Sequence, residues 1–315
     1  MSQSTDKTGV LVMSYGTPQS MDDVEAYYTH IRRGHPPTPE LLADLKGRYE
    51  AIVGGVFPLR ENTNGQVAGL QDKLEQLAPG RYVCYQGLRH ASPFIEDGVE
   101  AMAKDGIKQA VAIVLAPHYS TMSIGGYMKR AKEKADELGI RLAEVESYHL
   151  HPKLLQALTE RVQDGLRRLD LASGGAEPVK VLFSAHSLPA KIREIGDPYE
   201  QQLLETSKAV AEQANVEHWQ FTWQSAGRTK EPWLGPDILD TLQTLSEEGV
   251  KGVLVAPVGF VSDHLEVLYD LDIEAKQVAA GLGMTLERIQ MLNRDPLYME
   301  TLAESIQEAA SAFTV

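Results

Sequence analysis

The sequence predicts a two-domain α/β protein whose parallel sheets carry helices on both faces. Its 315 residues exceed the length at which a single core usually stops growing, about 250 to 300 residues. Short apolar runs rich in β-branched residues alternate along the chain with amphipathic helical patterns. This alternation is typical of parallel sheets, because a helix usually connects each strand to the next.

Four apolar runs have the length and composition of buried strands. They are residues 9–13, 110–115, 179–183 and 252–255. Four segments with apolar residues at three- and four-residue spacing are predicted to be helices. They are residues 152–169, 199–213, 237–248 and 296–312.

The segment 173–178 combines Ser, Gly and Pro just before a strand, and the domain boundary is predicted there. The predicted domains are residues 1–172 and 179–315, with the last helix free to pack back on the first domain. Residues 10–18 can be laid over residues 181–189, which brings Tyr15 close to the position of His186. The chain is therefore predicted to consist of two similar halves.

Composition excludes several classes of protein. The formal net charge of -14 argues against non-specific binding of nucleic acid, which needs clustered Lys and Arg. Cys84 is the only cysteine, so neither an intramolecular disulfide nor a cluster with several cysteine ligands is expected. The N-terminus lacks the pattern of a signal peptide, and no apolar run approaches the ~20 residues that span a bilayer. We expect a cytoplasmic protein without a transmembrane segment.

Several reactive side chains follow predicted strands. Ligands of open parallel sheets bind beyond the carboxyl ends of the strands. Tyr15, His118, His186 and the loop after Pro257 all occupy such positions. If the two halves face each other, these residues are expected to line one cleft.

His186 lies in the segment Ser-Ala-His-Ser-Leu-Pro at the exit of a predicted strand. An imidazole there can accept a proton or bind a metal ion. The alternative is a buried histidine held by the neighbouring hydroxyl groups.

Glu266, Asp270 and Glu274 recur every fourth residue and are predicted to share one stripe of a helix. Stacked like charges repel, so a divalent cation bound along this outer acidic stripe would stabilise it and could pass a metal ion towards the cleft. The alternative is that Asp263 caps the helix with Glu266 at its third position, and that the other acids are solvated.

Arg32, Arg33 and Arg48 lie near tyrosines in the first half of the chain. Guanidinium groups bind carboxylates in a bidentate manner, so this region favours an anionic, flat ligand, although a surface salt-bridge network explains it equally well. No phosphate-binding loop or dinucleotide fingerprint is present, and nucleotide cofactors are not indicated.

Together, several motifs in the same order resemble the ferrochelatase family from about Gly9 to the last helix. They are Tyr15-Gly-Thr-Pro18, Ser184-Ala-His-Ser-Leu-Pro189, Asp197-Pro-Tyr199, Trp223-Gln-Ser225, Pro232-Trp-Leu-Gly-Pro236 and Asp263-His-Leu-Glu266. The block from Ala26 to Ile52 is similar to the soluble branch from Gram-positive bacteria, whose substrate is coproporphyrin III.

The resemblance implies two Rossmann-like domains of the chelatase type, with the macrocycle held between them. It implies a lyase that inserts Fe²⁺ into coproporphyrin III, forms coproheme and releases two protons in heme biosynthesis. Iron and coproporphyrin III are then substrates, no tightly bound cofactor is expected, and the protein is expected to be a monomer.

The resemblance also assigns roles to individual residues. His186 matches the catalytic histidine, Glu266 its partner acid, and Tyr15 the tyrosine on the opposite face that can ligate iron. Asp270 and Glu274 match the outer metal-binding stripe. Residues that match substrate contacts are Arg32, Arg48, Tyr49, Tyr127 and His90.

Three positions depart from the family pattern. Phe57 stands where a serine is usual, with an apparent extra residue near Val53, so a propionate hydrogen bond is expected to be missing. Ala226 replaces an acid, and Arg89 replaces a lysine before His90. The alternative functions are a protoporphyrin IX ferrochelatase, a cobalt chelatase acting on a precorrin-type ring, and a heme- or metal-binding module without turnover.

Overall fold

The computed structural model describes residues 7–53, 57–175, 178–227 and 229–313. Part of the predicted linker, residues 176–177, lies outside the described residues, as do residues 54–56 before Phe57. Contacts divide the chain into two compact units, Met1–Tyr148 with Asn293–Val315, and His149–Leu292.

The first unit contains one parallel sheet and helices from both ends of the chain. Its strands are β1 (Thr8–Ser14), β2 (Tyr82–Leu88), β3 (Gln109–Val114) and β4 (Arg141–Val145). Its α-helices are α1 (Val24–Ile31), α2 (Pro39–Val53), α3 (Pro58–Leu77), α4 (Ile95–Lys104), α5 (Ile124–Glu137) and, at the end of the chain, α11 (Pro296–Ala310). A core cluster that includes Leu11, Met102 and Ile124 lies under α4 and α5.

The second unit repeats this arrangement. Its strands are β5 (Val179–His186), β6 (Trp219–Gln224), β7 (Gly252–Ala256) and β8 (Thr285–Arg288). Its α-helices are α6 (Pro152–Ser173), α7 (Tyr199–Ala214), α8 (Ile238–Glu247), α9 (Leu265–Leu268) and α10 (Lys276–Gly281), with a π-helix at Asp270–Ala275 between the last two. A core cluster that includes Leu242, Val253 and Leu271 lies under α8 and α10.

Within the described residues, each unit has one four-stranded sheet, and the strand orders are equivalent: β2-β1-β3-β4 and β6-β5-β7-β8. All paired strands run parallel. This confirms the predicted fold class and agrees with the predicted similarity of the two halves. In each sheet the strand order reverses between the first and third strands of the unit, and ligands of such sheets bind at that reversal point.

The four predicted strands are the two central strands of each sheet, and the four edge strands were not predicted. Central β1 and β7 are buried along their whole length, so their sequences are continuously apolar. Edge strands β4 and β8 are only partly buried and carry polar residues. Their short, mixed sequences do not stand out from loops.

The division between the units differs from the predicted boundary at residues 173–178. Helix α6 begins at Pro152 and packs on α7, β7 and β8, so it belongs to the second unit. The chain returns to the first unit after Leu292, where α11 packs on α3, β3 and β4. The Gly-rich segment follows α6 inside the second unit, and it therefore marks the end of a helix; Gly174 ends that helix in the left-handed conformation.

Candidate active site

His186 is the last residue of the central strand β5, where the chain leaves the core. The preceding residues Val181 to Ala185 are buried, and the His186 side chain is 32% exposed. The backbone around it is fixed, because Tyr199 donates a hydrogen bond to the His186 carbonyl at 3.2 Å, and Ser187 N donates to the Gln224 carbonyl at 2.8 Å. The His186 ring also contacts the Ser187 carbonyl through Nδ1. The imidazole is therefore held with Nε2 directed away from the strand.

Glu266 approaches His186 from the segment that follows β7, the strand next to β5 in the sheet. The loop after β7 leads to α9, which carries Glu266, and His186 Nε2 lies 3.4 Å from Glu266 Oε1. His264 Nε2 lies 3.4 Å from the other carboxylate oxygen, Oε2. Glu266 therefore lies between two imidazoles at the reversal point between β5 and β7. His264 is not among the site residues predicted from the sequence, although it stands only two residues before Glu266.

The two charges change each other's protonation. Burial alone would lower the pKa of His186, but the charge of Glu266 and its hydrogen bond outweigh burial and raise that pKa to about 9. Burial alone would raise the pKa of Glu266, but the nearby His186 and His264 hold it well below its ordinary value. At neutral pH the pair is therefore an imidazolium and a carboxylate, side by side and each about one-third exposed.

Buried polar side chains connect this pair to the next strand. Gln224, at the end of β6, is fully buried, accepts a hydrogen bond from Ser184 at 2.8 Å and donates to the Glu266 carbonyl at 3.0 Å. Ser225 donates to Asp270 at 2.5 Å. The Trp-Gln-Ser motif thus positions both Glu266 and Asp270. The next residue, Ala226, is exposed and has no polar side chain.

The predicted acidic stripe does not lie on a single α-helix. Helix α9 ends at Leu268, and Asp270 and Glu274 belong to the π-helix, in which Glu274 N bonds the Tyr269 carbonyl at 3.0 Å. Such five-residue hydrogen bonds are frequent at functional sites. The alternative in which Asp263 caps this helix is wrong: His264 is the N-cap residue, and Asp263 instead pairs with Arg288.

Tyr15 follows the central strand of the first unit and is 42% exposed. Its ring packs against the His90 ring in a tilted arrangement with the ring centroids 4.6 Å apart, and its carbonyl accepts a hydrogen bond from His90 N at 3.0 Å. His90 Nδ1 lies 2.9 Å from Nδ1 of His30. Burial and the nearby Arg89, His30 and Arg130 lower the pKa of His90 to about 3, so a neutral imidazole supports Tyr15. Gly16 has a φ of 85°, which allows the chain to turn directly after Tyr15.

The predicted substrate-binding residues fall into half-buried and buried groups. Arg32, at the end of α1, is half-buried, and its guanidinium lies 5.7 Å from the Tyr28 ring. Arg48 pairs with Asp44 at 3.2 Å. Tyr49 and Tyr127 are each only 4% exposed, which leaves little of either ring for a ligand.

Two further predicted positions are also buried. Phe57 packs against Tyr49 at a ring distance of 4.7 Å, and Tyr49 in turn lies 3.4 Å from the Thr17 hydroxyl. The phenyl ring therefore replaces a hydroxyl group with an apolar contact. His118, after β3, is 3% exposed.

In the part of the chain that the structure describes, no group of three or more His, Cys, Asp and Glu side chains is arranged so that it could hold a metal ion. Among the described residues, no helix is both long and apolar enough to cross a membrane.

Comparison with known proteins gives consistent matches over nearly the whole chain. The chain is 50% identical to the coproporphyrin III ferrochelatase of Geobacillus thermodenitrificans, over 94% of this chain and 93% of that protein. It is 47% identical to the coproporphyrin III ferrochelatase of Bacillus subtilis, over 95% of this chain and 97% of that protein.

Among solved structures, the sirohydrochlorin chelatase SirB of Bacillus subtilis subspecies spizizenii has a TM-score of 0.59 at 12% identity. That match covers 97% of this chain and 96% of the SirB chain. At this identity the likeness supports the chelatase-like fold alone. The ferrochelatase family model matches residues 7–310, and the chain therefore belongs to the ferrochelatase family.

Proposed function

We propose that this protein inserts Fe²⁺ into coproporphyrin III and releases coproheme and two protons. The observation that carries the proposal is the His186–Glu266 pair, which lies where the strand order of the second sheet reverses. The chain that contains this pair is about half identical to coproporphyrin III ferrochelatases over nearly its full length. We also propose that it acts as a monomer in the cytoplasm.

The porphyrin presents its pyrrole N–H groups in the ring plane, so bending of the ring exposes nitrogen lone pairs to a metal ion on one face. A base must then take up the released protons. We assign this role to His186 with Glu266. Since His186 carries a proton at neutral pH, it must lose that proton before it can accept another or bind iron.

The surroundings of Glu266 support such a proton transfer. His186 and His264 each lie 3.4 Å from a different oxygen of Glu266. Arrival of a divalent cation near His186 favours the neutral imidazole, because metal binding and proton binding compete for the same nitrogen. A proton displaced from His186 has Glu266 as its nearest acceptor. We further propose that Asp270 and Glu274 are the outer metal-binding positions.

On the first unit, we propose that Tyr15 faces the porphyrin and serves as a ligand to iron in the product. His90 holds Tyr15 through the ring contact and the backbone hydrogen bond described above. Arg32 and Arg48 are proposed contacts for the propionates, and the mostly buried Tyr49 and Tyr127 are proposed to contribute through the small exposed part of each side chain. Arg32 and Arg48 supply positive charge in a chain whose formal net charge is -14. Coproporphyrin III has more propionates than protoporphyrin IX, so two guanidinium groups on the first unit favour the former.

The decisive experiment incubates the purified protein with coproporphyrin III and Fe²⁺ without oxygen and follows coproheme formation by absorbance. We expect turnover by the wild type and a loss of at least about a hundredfold in His186→Ala, the usual size of a lost acid–base contribution. His218→Ala, at an exposed position before β6, is the matched control and should retain the wild-type rate. Binding of coproheme without any turnover would instead identify a carrier.

The same assay with protoporphyrin IX tests the substrate. We expect a higher kcat/KM with coproporphyrin III. A clear preference for protoporphyrin IX would contradict the proposed role of the arginines.

A further inference from the structure

Arg288 lies at the end of the edge strand β8 and contacts the segment that carries Glu266. This segment, residues 263–274, contains five carboxylates: Asp263, Glu266, Asp270, Asp272 and Glu274. The Arg288 side chain is 12% exposed and points into this segment from the adjacent strand.

The Arg288 guanidinium makes four hydrogen bonds. Nε and Nη2 donate to the two oxygens of Asp272, each at 2.8 Å, in a bidentate pair. Nη2 also lies 3.2 Å from Asp263, and Nη1 donates to the Ile289 carbonyl at 2.8 Å. Arg288 therefore grips the segment on both sides of Glu266, three residues before it and six residues after it.

The contacts also separate four of these carboxylates into two sets. Asp263 and Asp272 are paired with Arg288, whereas Glu266 contacts His186 and His264, and Asp270 accepts from Ser225. Without the guanidinium, Asp263 and Asp272 would lose their common partner, and the like charges of this short segment would repel each other. The planar fork of arginine also fixes direction, which a lysine at this position cannot do.

We propose that Arg288 is a positioning residue for metal insertion. By clamping Asp263 and Asp272 it holds the intervening segment so that Glu266 meets His186 and Asp270 meets Ser225. The inference rests on the proposed function for its effect on turnover, but the clamp itself is a property of the free protein.

The test compares Arg288→Lys and Asp272→Asn with a matched control, Arg168→Met. Arg168 lies on α6, pairs with Glu287 at 3.0 Å and donates to the Arg288 carbonyl at 2.9 Å, but does not contact the clamped segment. Its removal therefore breaks ion pairs at the same sheet edge and leaves the guanidinium of Arg288 in place.

Two readouts are measured on the full chain. In hydrogen exchange without substrate, we expect peptides covering residues 263–275 to exchange about tenfold faster in Arg288→Lys and Asp272→Asn, and at the wild-type rate in Arg168→Met. In the coproporphyrin assay, we expect kcat to fall about tenfold to a hundredfold in the first two variants, as for a small misplacement of a catalytic group, with the KM for porphyrin unchanged. The double variant Arg288→Lys/Asp272→Asn should be no slower than Arg288→Lys alone, because the two substitutions break the same Arg288–Asp272 contact.

Faster exchange with an unchanged kcat would reduce Arg288 to a structural role and overturn the proposal. Unchanged exchange would overturn the clamp itself. If Arg288→Lys does not fold, Asp272→Asn provides both readouts. If the wild type itself fails to metallate coproporphyrin III, the proposed function is wrong, and hydrogen exchange still decides whether Arg288 holds the segment.

Discussion

The protonation state of His186 depends mainly on Glu266, with smaller contributions from the Ser187 carbonyl and Asp270. Its pKa of about 9 results from Glu266 outweighing burial. Because this pKa lies above the unfolded value of about 6.5, the stabilisation from the imidazolium is complete below about pH 6.5 and is lost as the pH rises through about 9. Glu266, whose pKa is lowered, stays ionised across this range.

Glu266→Gln should therefore lower the pKa of His186, since burial remains and the largest contribution that raises this pKa is removed. The measurement is a pH titration of the imidazole resonances by NMR in the metal-free protein. Glu205→Gln, which removes the partner of His149 in the same unit, is the control and should leave His186 unchanged. A His186 pKa still near 9 in Glu266→Gln would show that Glu266 does not hold the proton.

At the scale of elements, the loop after β7 can reach His186 only because Gly259 has no side chain. A Cβ at Gly259 would lie 2.3 Å from the Ala185 Cβ and 2.8 Å from its Cα, one residue before His186. The Gly259 N–H also donates to the Ser184 carbonyl at 3.2 Å. This close approach connects the strand that carries His186 to the loop that leads to Glu266.

Gly259→Ala is expected to lower the free energy of unfolding by about 1 to 3 kcal/mol and to reduce turnover, because the loop and β5 must move apart. Chemical denaturation and the coproporphyrin assay measure the two effects. Gly281→Ala, at the end of α10 with open space around its Cα, should instead leave stability unchanged or raise it by up to about 1 kcal/mol. Wild-type turnover and stability in Gly259→Ala would contradict the close packing.

At the scale of the whole molecule, the end of the chain completes the unit that its beginning forms. Tyr298 of α11 is fully buried, and its hydroxyl lies 3.0 Å from that of Tyr148, which donates to the Val114 carbonyl at 3.0 Å. Lys73 and Glu300 join α3 to α11 at 3.0 Å. The last helix therefore forms part of the core of the first unit.

Tyr298→Phe is expected to lower the free energy of unfolding by about 1 to 2 kcal/mol, because a buried hydroxyl loses its partner. The Tyr85 hydroxyl donates to the exposed Asp105 at 2.7 Å, and Tyr85→Phe should lower the free energy of unfolding by less than about 0.5 kcal/mol. Denaturant titrations of both variants make the comparison. Equal effects would mean that the buried hydroxyl pair contributes no more than a surface hydrogen bond.

Much of the fold could be predicted because local pattern and burial agree in the central strands. Residues 9–13 and 252–255 are apolar since both faces of β1 and β7 are covered. The edge strands, the π-helix and the membership of α6 in the second unit could not be predicted, because they depend on contacts between distant segments. Asp263 shows the same limit, since its partner Arg288 lies 25 residues away in sequence.

The sequence by itself determined the fold class, the family and the choice of His186, Glu266 and Tyr15, since these residues stand in recognisable motifs at the ends of strands. Only the tertiary structure decided that Glu266 lies between two imidazoles, that Tyr49, Tyr127 and His118 are buried, and that Arg288 holds the acidic segment. The physical reason is that protonation, burial and ion pairing depend on distances between side chains, and those distances arise only when separate strands come together in one sheet.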